Sequence, residues 1–543
     1  MNSASQPTPS NNTEQQETGG FYVQDLDFRS GIVALQTPAL ISVTAAIGGF
    51  NPPAPTGKFT YCDLGCGDGT TLNAIASLHP RASFVGIDFN PSHIATAKET
   101  AEQAQLDNIR FIEASFTELP QLDLPQFDYV AANGIYAWLE EEQAQAVRDF
   151  LSEKLQPGGL FYVEYTSLPG KISVAPLWQL IQTLVPPDAY DDSRDRAEAG
   201  LNLVETLAKR GMNYLAAHRP AANGARSYIQ GRKRDPYRVD HFAHNAMASG
   251  FRPRYFTEMY DEMAASGLTY AGRVETALNE IELSVSPAQV PTFQDYKGDT
   301  RLTELLKDYI RNEQQRHDVF VNKGTPEPEA AHAYIDQNLH LVSRLPAENI
   351  RRWITTLGNH RIPLRGPAYE AMIQGADQAN GITPAQAADH QNLPIERVRH
   401  AGLRLLASNQ FFLCTRQPET VPDDLNAINA IALPNPINQR TLTLAAERLT
   451  QNQLVSPVTG GAAIPVSAIE AVLLMSTLDA GSFDGAIEQA QQRLAEETRP
   501  LPSPQGQKSG KDLTAEDLQE VLDAIRGRKL FNLIKLGIVV PKN

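Results

Sequence analysis

The sequence predicts an α/β fold built on a parallel sheet, and three observations carry that expectation. From Phe59 to Tyr165, short apolar β-type runs alternate with longer helical patterns. A glycine-rich turn, Asp63-Leu64-Gly65-Cys66-Gly67-Asp68-Gly69, follows the first run, and a carboxylate, Asp88, closes the second.

Taken in order, strands are expected at Tyr61–Leu64, Phe84–Asp88, Arg110–Ala114, Tyr129–Ala132 and Leu160–Tyr165. Helices fill the gaps. Thr70–Leu78 starts directly after the glycine turn, and Pro91–Gln105 has proline at its first position, where the missing N–H costs nothing. Glu140–Leu155 is closed by Pro157-Gly158-Gly159. The rhythm then breaks, and Leu168–Phe256 reads as helices and loops. A helix at Thr257–Ser266, a stop at Gly267 and a late strand at Leu268–Val274 would finish the sheet. Residues 168–256 are therefore expected to be an insertion. Ligands of open α/β sheets sit beyond the carboxyl ends of the strands, so an insertion leaving the fifth strand there would cap the site.

Beyond Ser284 the chain reads as mainly helical, with breaks at Pro326–Pro328 and Pro418–Pro422. Thr383–His390, Pro394–Ser408 and Phe411–Thr415 follow helix, turn, helix, strand, which is winged-helix order. The second of these helices carries only Arg397, Arg399 and Arg404, which favours packing or protein contact over reading DNA. Ser503–Lys511 reads as a polar linker ahead of an amphipathic helix at Thr514–Arg526. The expected division is a disordered tail at 1–20, a Rossmann-like sheet domain at 21–167 and 257–284, a cap at 168–256, a regulatory and winged-helix-like region at 285–420 and a C-terminal helical domain at 421–543.

Composition narrows the function. The 543 residues carry a net charge of −16, which opposes the phosphate neutralisation on which nucleic-acid binding depends. Hydrophobic residues are 42% and charged residues 20% of the chain, an ordinary globular mixture. The three cysteines, Cys62, Cys66 and Cys414, do not make a four-ligand zinc set and read as reduced thiols of a cytoplasmic protein. No metal is expected. Met1–Gly20 is polar, without the cationic start and apolar core of a targeting signal. No run reaches the roughly 18 to 20 apolar residues that span a bilayer.

The glycine turn is the strongest signal. Glycines allow a tight bend and a close approach of backbone to ligand. A dinucleotide site would put its third glycine at position 70, but that residue is Thr70, and the spacing suits a nucleoside better than a pyrophosphate. Asp63 is placed to accept from the amino group of a bound amino acid, and Asp88 to accept from both ribose hydroxyls. Two carboxylates at such a turn suit a cationic ligand. After the third strand, Ser115 offers an adenine a polar contact and Phe116 a stacking surface.

These features resemble the class I S-adenosylmethionine methyltransferases, whose fold is a Rossmann-like seven-stranded sheet. More narrowly the chain resembles bacterial protein lysine methyltransferases that carry a methyltransferase regulatory domain. The narrower likeness rests on Phe84–Asp88, on Phe127–Trp138 and on Pro157–Gly170, while His241–His244, Arg252–Phe256 and Asp308–Val321 resemble the regulatory part. The chain departs from the family at Asn133-Gly134, Ala137, Gln36-Thr37-Pro38, Tyr165-Thr166-Ser167 and Lys171, positions nearer the acceptor than the cofactor.

The resemblance implies S-adenosyl-L-methionine as cofactor, held by Tyr22, Asp63, Gly65, Cys66, Gly67, Gly69, Asp88, Phe89, Ser115, Phe116 and Asn133. Methyl transfer is an in-line displacement, so the protein chiefly aligns a nucleophile and excludes water. Tyr136, Trp138 and Tyr165 are the candidate catalytic residues lining the acceptor channel, where their faces would attract a methylated cation. Glu164 is the alternative anchor. Strand alternation puts Glu164 and Tyr165 on opposite faces, and Tyr165 is preferred. His244 and Tyr255 read as surface or core residues. The implied acceptor is a lysine side chain of a protein partner. A small-molecule N- or O-methyltransferase and a non-catalytic cofactor sensor are the competing readings, and homo-oligomerisation is left open.

Overall fold

The computed structural model describes residues 23, 25–26, 31–233, 235, 237–248, 250–503 and 506–542. Tyr22 and the tail at 1–20 lie outside the described residues. The chain forms two compact units, one made of residues 1–28, 137–143 and 171–252, and the other of 29–136, 144–170 and 253–543.

The larger unit holds the sheet. A short 3-10 turn, Ala34–Gln36, leads into α1 (Pro38–Ile47), followed by β1 (Thr60–Leu64), α2 (Thr70–Leu78), β2 (Ser83–Asp88), α3 (Pro91–Gln103), β3 (Ile109–Glu113) and β4 (Phe127–Ala132). α3 begins where Asn90 accepts hydrogen bonds from the Ser92 and His93 amides, with Pro91 in the first turn. After α4 (Glu141–Lys154) comes β5 (Leu155–Thr166), which absorbs the Pro157-Gly158-Gly159 expected to close the helix.

The smaller unit contains α5 (Ala175–Leu184), α6 (Ser193–Lys209), α7 (Asn213–Ala217), α8 (Arg219–Gly231) and α9 (Tyr237–Ala246). Its core joins Leu177 and Ile181 to Leu201, Val204, Phe242 and Met247. The expected helical insertion is thus a unit with its own apolar centre.

The chain returns to the larger unit with α10 (Phe256–Ala265), β6 (Leu268–Arg273), α11 (Ile281–Ser284), α12 (Thr300–Arg311) and β7 (Gln315–Asn322). The sheet order is β3-β2-β1-β4-β5-β7-β6. β1 to β5 run parallel, and β7 enters antiparallel between β5 and β6. This corrects the sequence reading at one point. The late strand at 268–274 does not close the sheet alone, and the expected boundary at residue 284 cuts off the strand that joins it to β5.

One face of the sheet packs Tyr61, Phe84, Phe111, Tyr129 and Tyr162 against α1, α2 and α3 through Ile41, Leu72, Ile75 and Ile94. On the other face Phe127 meets Phe150 of α4, and Phe256 of α10 meets Tyr270 of β6 edge-on at 4.9 Å. The helices therefore flank the sheet on both sides, as both-face burial of parallel strands requires.

The C-terminal part is helical with five two-stranded sheets. Its first core joins Leu341, Met372, Ile373, Val398 and Leu405 to Ala39 and Val43 of α1, and its second gathers Leu442, Leu454, Val472, Leu518 and Leu533. Helices at Pro384–Gln391 and Ile395–Ala407 and a strand at Phe411–Cys414 appear in the expected order. That strand pairs back with His340–Ser343 and not with a following strand. The expected linker at Ser503–Lys511 is instead part of a hairpin, Pro500–Ser503 with Gly506–Ser509. No described helix is long and apolar enough to cross a membrane. Cys62, Cys66 and Cys414 are buried and not disulfide-linked.

Candidate functional site

The site is built where β1 ends. The Gly65 and Cys66 amides both donate to the Ile87 carbonyl, at 2.8 and 3.1 Å, which ties the turn to β2. Gly65, Gly67 and Gly69 have φ of +72°, +54° and +69°. A Cβ on Gly65 would lie 2.5 Å from Ile135, so no side chain fits there. At Gly67 a Cβ would meet nothing within 4 Å, so this stretch of backbone faces open space. Phe111 underlies the turn, packed where a Cβ on Gly69 or Gly86 would sit.

Two carboxylates flank the bend. Asp88 accepts from the Gly67 amide at 2.9 Å and the Asn90 amide at 2.9 Å, and its Oδ1 lies 3.3 Å from His93 Nδ1. Asp63 is 4% exposed and accepts from the Gln36 amide at 3.2 Å. Burial, with the Asp88 charge nearby, pushes Asp63 up to about 8 against the opposing effect of Gln36. Gln36 is itself placed by the hydroxyl of Tyr61, which donates to its carbonyl at 3.0 Å. Burial likewise raises the Cys66 thiol, so the cysteine in the turn stays protonated.

Beyond the third strand, Ser115 and Phe116 open a 3-10 turn, Phe116–Gln121. The Ser115 amide donates to Glu118 at 2.7 Å, its hydroxyl lies 2.8 Å from Thr117 Oγ1, and Phe116 is buried. Phe89 is half-buried beside Asp88 in the chain. Asn133, just past β4, accepts from the Tyr162 hydroxyl at 2.9 Å.

The acceptor residues read from the sequence are placed differently. Tyr165 is 1% exposed and its hydroxyl donates to Asp318 at 2.7 Å, on the face of β5 shared with Phe161, which packs against Phe320. The opposite face carries Tyr162 and Glu164. Glu164 Oε2 lies 3.3 Å from where a Gly134 Cβ would be, so the carboxylate rests against the Asn133–Gly134 bend. The phase of β5 thus turns Tyr162 and Glu164 toward Asn133 and Gly134, and Tyr165 toward Asp318. Tyr136 is fully buried. It donates to Glu262 at 3.0 Å and accepts from Arg148 at 3.2 Å, and burial next to Glu262 raises its hydroxyl. It braces α10 through Glu262. Trp138 belongs to the smaller unit, stacked on Trp178 at 5.9 Å and tilted against Phe251 at 4.7 Å. His244 is buried in that unit, and Tyr255 stacks on Tyr309 at 6.4 Å before α10.

Four residues were not singled out from the sequence as site residues: Tyr162, Gln315, His317 and Glu275. Gln315 donates to Glu164, and His317, opposite Glu164 in the register, is parallel to the Tyr162 ring at 6.4 Å. His317 Nδ1 lies 2.6 Å from Glu275. Burial opposes the Glu275 charge, but His317 and Arg273 outweigh it and hold the group down at about 2. Burial and the Glu164, Glu275 and Asp63 charges raise the Tyr162 hydroxyl well above its ordinary range, so it acts as a neutral donor.

Comparison with known proteins assigns the pieces. Residues 56–200 match a family model described as a methyltransferase domain. Residues 56–200 of this chain are thus similar to a methyltransferase domain. Residues 239–322 match a second model, described as a predicted methyltransferase regulatory domain, so β6 and β7 of the methyltransferase sheet fall within the regulatory match. An uncharacterized protein of Synechocystis sp. is 29% identical over 332 residues, 61% of this chain and 64% of that protein. An uncharacterized protein of Rickettsia prowazekii is 25% identical over 297 residues, 54% of this chain and 51% of that one. The chain thus spans between about half and two thirds of the length of these curated relatives. Among solved structures, that of PKMT2 from Rickettsia typhi in complex with AdoHcy matches with a TM-score of 0.67 at 16% identity, covering 94% of this chain and 99% of that one. That likeness is one of fold.

Proposed function

We propose that the protein is an S-adenosylmethionine-dependent methyltransferase whose acceptor is an amine, the lysine side chain of a protein partner. The observation that carries this reading is the half-buried Gly67 backbone, whose Cβ position opens on free space, between two buried carboxylates, Asp63 and Asp88. These residues fit the cofactor. Asp88 would hold the ribose hydroxyls, Asp63 with Gln36 the ammonium of the amino-acid part, and Asn133 the same part or the acceptor. Gly65, Cys66, Gly67 and Gly69 would offer backbone, and Phe89, Ser115 and Phe116 would meet the adenine. The turn itself, Asp63–Gly69, holds no basic side chain for a pyrophosphate.

When bound, the cofactor supplies an electrophilic methyl group on a sulfonium. The chain's own residues have the other task. An ammonium has no lone pair, so the acceptor must shed a proton before it can attack. Glu164, whose Oε2 rests against the bend at Gly134, is proposed as a base for that proton, while Tyr162 holds Asn133 in place. The likeness to PKMT2 and the run of carboxylates on this face support an amine over a phenol. The helical unit, which follows β5 in the chain, is proposed to bind the partner.

Two experiments test this. Asp88→Ala should weaken S-adenosylmethionine binding in calorimetry by roughly 10- to 100-fold, on the order of 1.5 to 3 kcal/mol for hydrogen bonds to a charged group. Unchanged affinity would show that the site lies elsewhere. Incubation of the protein with methyl-labelled cofactor and cell lysate, resolved by size, should label protein; label confined to small molecules removes the protein acceptor, and no transfer at all leaves a cofactor-sensing protein.

A further inference from the structure

Hairpin turns ordinarily run over the surface. The turn between the paired strands Asn452–Ser456 and Gly461–Val466 does not: Val458, Thr459, Gly460 and Gly461 are all buried. It is held stiff. The Ser456 hydroxyl receives the Val458 and Thr459 amides at 3.0 and 3.2 Å and donates to the Leu536 carbonyl at 2.6 Å, which ties the turn to the C-terminal core. The turn is wedged between the two segments that shape the glycine bend. On one side His79, which caps the end of α2, donates through Nε2 to the Gly460 carbonyl at 3.0 Å, and α2 itself starts from Gly69. On the other side Gly461 packs on Thr37, the residue between Gln36 and α1. We propose that Thr37 and Gly461 are positioning residues, through which this hairpin of the C-terminal part holds Gln36 on Asp63 and so sets the grip on the ammonium at the amino-acid end of the cofactor. This rests on the reading of the glycine turn as the cofactor site.

The contacts run without a gap from the hairpin to the carboxylate. Gly461, unlike Gly460 at φ +70°, lies outside the left-handed region, so its backbone would accept any residue. What excludes a side chain is Thr37: a Cβ at position 461 would lie 2.6 Å from the Thr37 methyl and closer still to its hydroxyl. That hydroxyl donates to the Ala34 carbonyl at 2.6 Å and closes the 3-10 turn that ends in Gln36. The Gln36 amide then reaches Asp63 at 3.2 Å, while its carbonyl is held by the Tyr61 hydroxyl at 3.0 Å. Just before that turn, the Val33 amide donates to Thr71 Oγ1 at 3.0 Å, which fastens it to the first turn of α2. Ile437 and Val455 of the C-terminal part pack with Ala74 and Leu78 of α2, and Asn435 donates to Ser77 at 3.0 Å, so the hairpin and the helix form one body. At 3.2 Å the bond from Gln36 to Asp63 stands at the long limit of a good N–H···O contact. A small displacement of Thr37 therefore weakens it.

S-adenosylhomocysteine and 5′-methylthioadenosine share the adenosine and the sulfur and differ at the amino-acid end, so the ratio of their affinities isolates the Asp63 contact. With the full-length protein in calorimetry, S-adenosylhomocysteine should bind at least about tenfold more tightly, as a charge-assisted contact allows. Gln36→Leu should cut that ratio at least about threefold and sets the reference. Gly461→Ala crowds Thr37, and Thr37→Val keeps the volume but removes the bond to Ala34. Each should cut the ratio by a similar factor while shifting methylthioadenosine affinity less than about twofold. Neither should cut it further in the Gln36→Leu background, because residues acting through one contact are not additive. Should Gly461→Ala fail to fold, Thr37→Ser takes its place: it keeps the bond to Ala34, loses the methyl that meets Gly461, and should lower the ratio in the same direction. A ratio untouched by Thr37→Val or by the variant of the Gly461 contact overturns the inference. Equal weakening of both ligands overturns it too, since it marks a purely structural role, and so does a full further loss on top of Gln36→Leu. If the wild type binds neither ligand, or both alike, the reading of the glycine turn itself fails and takes the inference with it.

Discussion

Asp63 holds a proton that its unfolded form would give up. With burial pushing its carboxyl from the ordinary 3.8 up to about 8, the folded state binds more protons than the unfolded state across that interval. Stability therefore falls as pH rises from about 4 to about 8, and Asp63→Asn should flatten that part of a denaturant midpoint profile. Cofactor binding has the opposite sign. A cationic amino group favours ionised Asp63, so affinity should climb with pH until about 8 and then level off, with a proton released below that point; calorimetry in buffers of different ionisation enthalpy reads the proton directly. In Asp63→Asn the affinity should be lower and the slope absent. The glycines separate folding from binding. Gly65→Ala forces a left-handed backbone and a clash with Ile135, and should cost about 1 to 3 kcal/mol and lower the melting temperature. Gly67→Ala places its methyl in open space and should leave the melting temperature closer to the wild type while impairing cofactor binding. Asp63, Asp88 and the turn were legible because glycine spacing and carboxylates are properties of sequence. Gln36 was not, because its contact with Asp63 crosses 27 positions of chain and depends on where α1 packs.

Strands β1 to β5 could be read from their apolar runs, because strands buried on both faces must be apolar. β7 could not. Gln315, Arg316, His317 and Asp318 precede its apolar half, and they are sheltered by pairing and not by hydrophobicity: Arg316 is fully buried among Asp318, Asp308 and Glu304. A hydropathy pattern reads such a stretch as surface. The period of β5 was equally visible, but its phase was not. A neutral tyrosine looked the better choice for a closed site than a glutamate, whose burial costs free energy unless it is hydrogen-bonded; Gln315 supplies that bond from 151 positions away. Tyr165→Phe is thus expected to act on the element and not on the chemistry. Removing its bond to Asp318 should lower stability by on the order of 1 kcal/mol, with the cofactor dissociation constant unchanged. Trp138→Ala should loosen the smaller unit around Trp178 and Phe251, seen as faster amide exchange within 171–252, again without a change in cofactor affinity.

At the scale of the whole molecule, the sequence separates catalytic and regulatory parts where the structure does not. The sheet is one cooperative object drawn from residues 60 to 322. A chain ended after Ser284 would keep β6 but lose the strand that joins it to β5, leaving an open edge of unpaired backbone. Such a fragment should be insoluble under conditions where the full chain is monodisperse in size-exclusion chromatography; a well-behaved fragment would mean that β7 is dispensable. The C-terminal cores add a second constraint, since one of them incorporates α1, which also covers the sheet. The order of assembly is therefore not the order of synthesis. β6 leaves the ribosome before the neighbour it must pair with, and at about 5 to 20 residues per second the stretch from Arg273 to Gln315 takes several seconds to appear. For that interval the nascent chain exposes the flank of β5 with nothing to cover it, a window in which a chaperone, or a neighbouring copy on the same polysome, competes with its own unborn strand.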